Sequence, residues 1–166
     1  MIISNKGIEL LKCLEGAVKV HGRHVIYDDA TGRPICPGGG ILPPGATIGY
    51  GHLIAPEQDF SDGITEEVAT ELLRSDIAQA EQVVQESVKI HLMQNQYDAL
   101  VLLVFNIGGG NFRKSTVLRY INNPKYRSVK YPTLSDAWQA WNRCRGQVVP
   151  GLTRRRQCEL NIYYGK

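Results

Sequence analysis

The chain has 166 residues, of which 43% are hydrophobic and 21% charged, with a formal net charge of +3. That length suits one domain burying about two thirds of its unfolded surface, and the composition excludes a disordered or low-complexity chain. The small positive charge suits an anionic partner. Lys and Arg are scattered, however, and no recognition motif accompanies them, so no nucleic acid is expected.

Taken in chain order, Met1 to Gly7 has no long apolar run behind it, which predicts neither a secretory signal nor a membrane span. Ile8, Leu11 and Leu14 recur at helical spacing behind Ser4 and Asn5, either of which can cap the start, and Gly16 is the stop. Glu15 then closes the helix, where the helix dipole disfavours a negative charge. Val18, Val20, Val25, Ile26 and Tyr27 predict short strands, and Asp28-Asp29-Ala30-Thr31-Gly32 a turn. Pro34 to Gly45 holds four prolines and four glycines and reads as an ordered loop or flap. A short strand or turn follows at Thr47-Ile48-Gly49-Tyr50-Gly51.

Thr65 caps the next helix, with Glu66 and Glu67 in its first turn and Val68, Leu72, Leu73, Ile77, Ala80 and Val84 on one apolar face. A core helix is predicted over Met93 to Ile107, ended by Gly108-Gly109-Gly110, and a shorter one to about Ile121. Thr133 and Asp136 fit a capping box ahead of Leu134, Ala137, Trp138 and Trp141. The last helix follows Pro150-Gly151 and carries Leu152, Cys158, Leu160 and Ile162. The expected layout is one α+β domain over 1–166, with a small β-containing subdomain at about 17–61 and a helical lobe at about 62–166.

Several residues are candidates for chemistry. Glu15 is either an exposed helix-end glutamate or an acid. Asp28 and Asp29 are either turn formers or a second carboxylate; neighbours on a strand point to opposite faces, so only one faces a site. Thr47 can hydrogen-bond a water or a carboxylate. His52 is a base, a ligand or a structural partner, and Asp76, beside the apolar face of its helix, is a partner for it. The four histidines and four cysteines have no metal-ligand spacing, so neither a metal nor a cofactor is expected. Cys13, Cys144 and Cys158 lie in helical patterns and read as buried thiols, and Cys36 as the exposed one. Gly108-Gly109-Gly110 reads as a helix cap and bend rather than a nucleotide loop. Arg154-Arg155-Arg156, near the start of the last helix, sits where the dipole disfavours cations, which calls for an acidic partner.

In this order the motifs resemble the phage-type lysozymes, also called endolysins or muramidases, from the first helix through the last. Glu15-Gly16 resembles the family's catalytic E-G pair, Tyr27-Asp28-Asp29 its Y-x-D, and Thr47 to His52 its T-I-G-x-G-H. Leu72-Leu73-Arg74-Ser75-Asp76 resembles the L-L-x-x-D helix whose aspartate pairs with the motif histidine. Phe105-Asn106-Ile107-Gly108 resembles the end of the family's central helix, and Gly151-Leu152 with Arg154-Arg155-Arg156 and Glu159 its C-terminal signature. Asp29 follows Glu15 by fourteen positions and Thr47 follows Asp29 by eighteen, both longer than in short members.

The resemblance implies a lysozyme-like fold and hydrolysis of the β-1,4 bond between N-acetylmuramic acid and N-acetylglucosamine in bacterial peptidoglycan. It implies Glu15 as general acid and Asp29, favoured over Asp28, with Thr47 positioning water, by an inverting route. Tyr27, Gly49, Tyr50, His52 and Asn106 would bind substrate or support the site, with His52 and Asp76 a structural pair. It further implies a monomer made in the host cytoplasm and passed to the wall, in the periplasm or outside the cell, through a holin-like pore. The alternatives are a lytic transglycosylase acting on the same bond and a catalytically inactive wall-binding protein of the same fold.

Overall fold

Helix α1 spans Asn5–Glu15 because both its ends are satisfied locally. The Ser4 Oγ accepts the Gly7 N–H at 3.1 Å, as an N-cap does, and Gly16 closes the helix with φ +69°, a conformation that glycine adopts without strain. The computed structural model to which this helix belongs describes residues 1–36 and 42–166. The flap expected over 34–45 therefore lies partly outside the described residues.

The fold is α+β, and its backbone contacts group into two units, Glu9–Asp76 and Met1–Ile8 with Ile77–Lys166. In the first unit, β1 (Lys19–Val20) and β2 (Arg23–His24) form a hairpin whose turn residues His21 and Gly22 both have positive φ, matching the right-handed twist of the strands. A three-stranded antiparallel sheet follows, ordered β3 (Tyr27–Asp28), β4 (Ala46–Ile48), β5 (His52–Leu53). Its register pairs Tyr27 with Thr47, and Ile48 with His52 across the turn at 49–51. His24 and Ile64 form an isolated bridge, which ties the β1–β2 hairpin to the segment entering α2.

Helix α2 spans Glu66–Ser87, and Thr65 Oγ1 accepts the Val68 N–H at its start. Its buried face is Ala69, Leu73, Ile77, Ala80, Val83 and Val84, whereas Val68 is exposed. Val68, which the sequence pattern places on that face, lies instead on the solvent side, one position before the buried Ala69.

The second unit is built around α3 (Gln94–Ile107), buried continuously from Tyr97 to Val104, as a helix apolar on all sides must be. α7 (Pro150–Tyr163) packs along α3, and the Asn95 side chain donates to the Ile162 and Tyr163 carbonyls at the end of α7. Only Gly108 ends α3. Gly109 and Gly110 open a further helix, α4 (Gly109–Lys114), rather than serving as cap and bend. α5 (Thr116–Asn122) and α6 (Leu134–Gln139) complete the helical set. Both halves of the expected capping box at Thr133 and Asp136 are formed. A hairpin of β6 (Arg143–Cys144) and β7 (Gln147–Val148) precedes α7.

The thiol expectation is overturned for Cys13, Cys144 and Cys158, all of which are exposed, as is Cys36. Cys144 is on a strand, not a helix. Cys158 misled because α7 turns charged residues inward: Arg155, Arg156 and Glu159 are buried beside Leu160 and Tyr163, so hydrophobic periodicity assigns the wrong face. Glu159 Oε1 accepts from Arg156 at 2.8 Å and from Arg155 at 3.3 Å, and Oε2 accepts the Trp138 indole N–H at 2.8 Å. This is the acidic partner expected for the arginine cluster. Burial pushes the Glu159 carboxyl up, and the two guanidinium groups and the indole donor oppose it.

Candidate active site

Glu15, Asp29, Thr47, Tyr27, Gly49, Tyr50, His52 and Asp76 all belong to the unit Glu9–Asp76. Asn106 belongs to the helical unit, where its Oδ1 accepts from Arg156 at 2.7 Å. Glu15 is the last residue of α1 and is partly exposed.

The two aspartates that sequence alone left open do different things. The Asp28 carboxylate accepts the Ala30 and Thr31 N–H groups at 2.7 and 3.1 Å, an Asx turn that reverses the chain after β3. Asp29 is exposed, and among the described residues its carboxylate makes no hydrogen bond of this kind. Its main chain is fixed through its N–H to the Gly45 carbonyl. Asp28 thus builds the turn that presents Asp29.

Thr47 lies at the centre of the three-stranded sheet, 4% exposed, and its Oγ1 donates to the Tyr27 carbonyl at 3.3 Å. A hydroxyl has one hydrogen and two lone pairs, so this bond leaves the lone pairs for another donor. Gly49 begins the β4–β5 turn with φ +66°, and a Cβ there would lie 3.4 Å from the Ala69 Cβ. Glycine is favoured at this position by the backbone conformation, and α2 comes into contact distance there.

His52 is held on both sides. Nδ1 lies 3.0 Å from each Asp76 carboxylate oxygen, and Nε2 lies 3.2 Å from the Gln58 Oε1, which also accepts the Ala55 N–H. Phe60 stands edge-on to the ring at 6.3 Å. With both nitrogens occupied by protein acceptors, His52 joins β5 to α2 instead of pointing a free nitrogen at a substrate.

Sequence reasoning missed the most connected carboxylate of this unit. Glu66 Oε1 accepts from the Tyr50 hydroxyl at 2.6 Å and from Lys12 Nζ at 3.1 Å. Its Oε2 accepts from Lys19 Nζ and His24 Nε2, each at 2.9 Å. Desolvation acts to raise the Glu66 pKa, but the hydrogen bonds from Tyr50, His24, Lys19 and Lys12 outweigh it and hold the carboxyl far below the usual range. Desolvation and the bond to Glu66 push the Tyr50 phenol up, keeping it a donor. Desolvation lowers Lys12, but its bonds to Glu9 and Glu66 prevail and raise it. No local pattern marks Glu66 out, since its partners come from α1, both strands of the hairpin and the turn after β4.

A carboxylate whose folded pKa is depressed stabilises the fold fully above its unfolded value, about 4.3, and that contribution fades as pH falls through the folded value. The Glu66 side chain is 41% exposed, so water screens the pairs and the dependence is shallow. Urea unfolding measured from pH 6 to pH 2 is expected to show stability declining below about pH 4, with a smaller decline in Glu66→Gln.

Among the described residues, no cluster of His, Cys, Asp and Glu could hold a metal ion, and no helix is long and apolar enough to cross a membrane.

The α+β fold is that of the solved phage lysozymes. The chain matches the phage lysozyme family over residues 23–159 and belongs to it. It is 35% identical over 167 aligned residues to the endolysin of Acyrthosiphon pisum secondary endosymbiont phage 1, covering 98% of each chain. It is 36% identical over 160 residues to the endolysin of Salmonella phage P22, covering 95% of this chain and 94% of that one. The solved endolysin from Escherichia coli O157:H7 phage FAHEc1 superposes with a TM-score of 0.74 at 29% identity, covering 98% and 93%. The protein is a glycoside hydrolase of the lysozyme type.

Proposed function

We propose that this chain is an N-acetylmuramidase that hydrolyses the β-1,4 bond between N-acetylmuramic acid and N-acetylglucosamine in bacterial peptidoglycan. Glu15 protonates the leaving oxygen as general acid. Asp29 stays ionised and, with Thr47, positions the attacking water on the opposite face of the sugar, giving inversion. The water donates one hydrogen to Asp29 and the other to a Thr47 Oγ1 lone pair not used in the bond to Tyr27. The whole chain acts as one catalytic domain and as a monomer. It reaches the wall, in the periplasm or outside the cell, through a pore made by another protein.

The observation that carries this reading is the division of labour between the two aspartates. Asp28 is consumed by its turn, and this leaves Asp29 exposed just after β3, a strand whose register with β4 is set by the Tyr27–Thr47 pair. A second carboxylate free for chemistry favours a hydrolase over a transglycosylase working mainly through one acid.

Two alanine variants test the assignment through initial rates of wall lysis. Asp29→Ala is expected to lose about 10²-fold or more in rate, the size of a lost general base. Asp28→Ala is expected to keep most of its activity and to lose stability instead, because two turn N–H groups lose their acceptor. The reverse ranking of rates would move the water-positioning role to Asp28.

A further inference from the structure

We propose that Glu66 is the positioning residue of the active site, fixing Glu15 and Thr47 through Lys12 and Tyr50; this rests on the roles proposed above for Glu15 and Thr47. An ionised carboxylate has about four lone-pair sites, and all four are used at Glu66. Oε1 takes Tyr50 at 2.6 Å and Lys12 at 3.1 Å, and Oε2 takes Lys19 and His24 at 2.9 Å each. The four donors belong to the segments that carry or adjoin the reacting groups. Lys12 lies one helical turn before Glu15 on α1, so its anchor fixes the last turn of that helix. Lys19 and His24 hold the hairpin that directly follows Glu15. Tyr50 sits in the tight turn leaving β4, three residues after Thr47, and its ring packs edge-on against His24 at 5.1 Å, with Lys12 Nζ above it at 5.6 Å.

His24 shows how closely the cluster is specified. It is fully buried, and its Nδ1 has no hydrogen-bond partner among the described residues, so the hydrogen bond of its ring among them is Nε2–H to Glu66. A buried imidazole would not be kept with a single bond unless that bond set a position. With its lone-pair sites taken by four protein donors, Glu66 acts by fixing the geometry of the residues that meet substrate. Misplacement of a reacting group by about 1 Å can cost about 10²-fold in rate.

The test uses Glu66→Gln, Tyr50→Phe and the double variant, assayed on solubilised peptidoglycan with the folded fraction measured by near-UV circular dichroism at the assay temperature. Glutamine keeps the shape of Glu66 but offers acceptors to only two of four donors. The expected result is kcat per folded molecule lower by about tenfold or more in Glu66→Gln, with KM unchanged, since a misaligned acid affects the transition state and not ground-state binding. Tyr50→Phe should lower kcat less, and should add nothing to Glu66→Gln in the double variant. Unchanged kcat per folded molecule in both single variants, whatever their melting temperatures, or effects that simply multiply in the double variant, would overturn the proposal. If Glu66→Gln fails to fold, Tyr50→Phe and Lys12→Met decide, because each removes one donor and leaves the carboxylate. A fall in kcat in both supports positioning, and unchanged kcat in both overturns it. Glu15→Gln run alongside separates the two levels: if it is as active as wild type, the roles assigned to the reacting groups fail, independently of Glu66.

Discussion

Replacing Glu15 with glutamine is expected to lower the rate of wall lysis by about 10²–10⁴-fold, the range supplied by a positioned general acid, while leaving the fold intact. The substitution is isosteric and removes the transferable proton. A glycosidic oxygen is a poor leaving group unless it is protonated as the bond breaks, and glutamine cannot deliver that proton. The fold should persist because α1 is stopped by Gly16 and because the first unit is held by the β3–β4–β5 ladder, by His52 with Asp76, and by the donors on Glu66. Rates from turbidity clearing, with far-UV circular dichroism on the same samples, check both halves. Loss of activity with retained spectrum is expected; lysis at the wild-type rate would remove Glu15 from the chemistry.

The largest effect on stability is expected at Glu159. Its carboxylate is fully buried and carries Arg156, Arg155 and the Trp138 indole N–H. Glu159→Ala removes the carboxylate that faces the Arg156 guanidinium, itself 0% exposed. Breaking a buried pair in this one-sided way costs about 3–5 kcal/mol, a large share of the ~5–15 kcal/mol that holds a domain together. Trp138→Phe removes one donor from the same carboxylate and should cost less, about 1.5–3 kcal/mol. Urea unfolding of both variants checks the ranking. A Glu159→Ala protein with wild-type stability would mean that the cluster is not what fixes α7 against α6.

How far the sequence could be read depended on the range of the interaction behind each feature. The end of α1 at Glu15-Gly16, the capping box at Thr133 and Asp136, and the turn at 49–51 are set within a few residues, and each is visible in a short motif. The run from Tyr97 to Val104 is apolar on every side, so a buried helix is the only element it can form. Glu66 is the opposite case. Its neighbour Glu67 has the same chemistry and occupies the same first turn of α2, and only contacts from α1, the β1–β2 hairpin and Tyr50 single out Glu66. Asp28 and Asp29 could not be separated by composition either. The Asx turn to Ala30 and Thr31 separates them. The cysteines were misjudged for a related reason. On α7 the inward face is charged, and Cys158 falls on the solvent side of a helix whose burial does not follow its hydrophobicity.

The central claim is hydrolysis of the muramic acid to glucosamine bond, and mass analysis of the products from purified peptidoglycan tests it most directly. The predicted result is that each cleavage adds one water and leaves an N-acetylmuramic acid reducing end that borohydride can reduce, with N-acetylglucosamine at the new non-reducing end. Products lighter by that water, ending in a non-reducible anhydro-muramic acid, would contradict it, as would new reducing ends on N-acetylglucosamine.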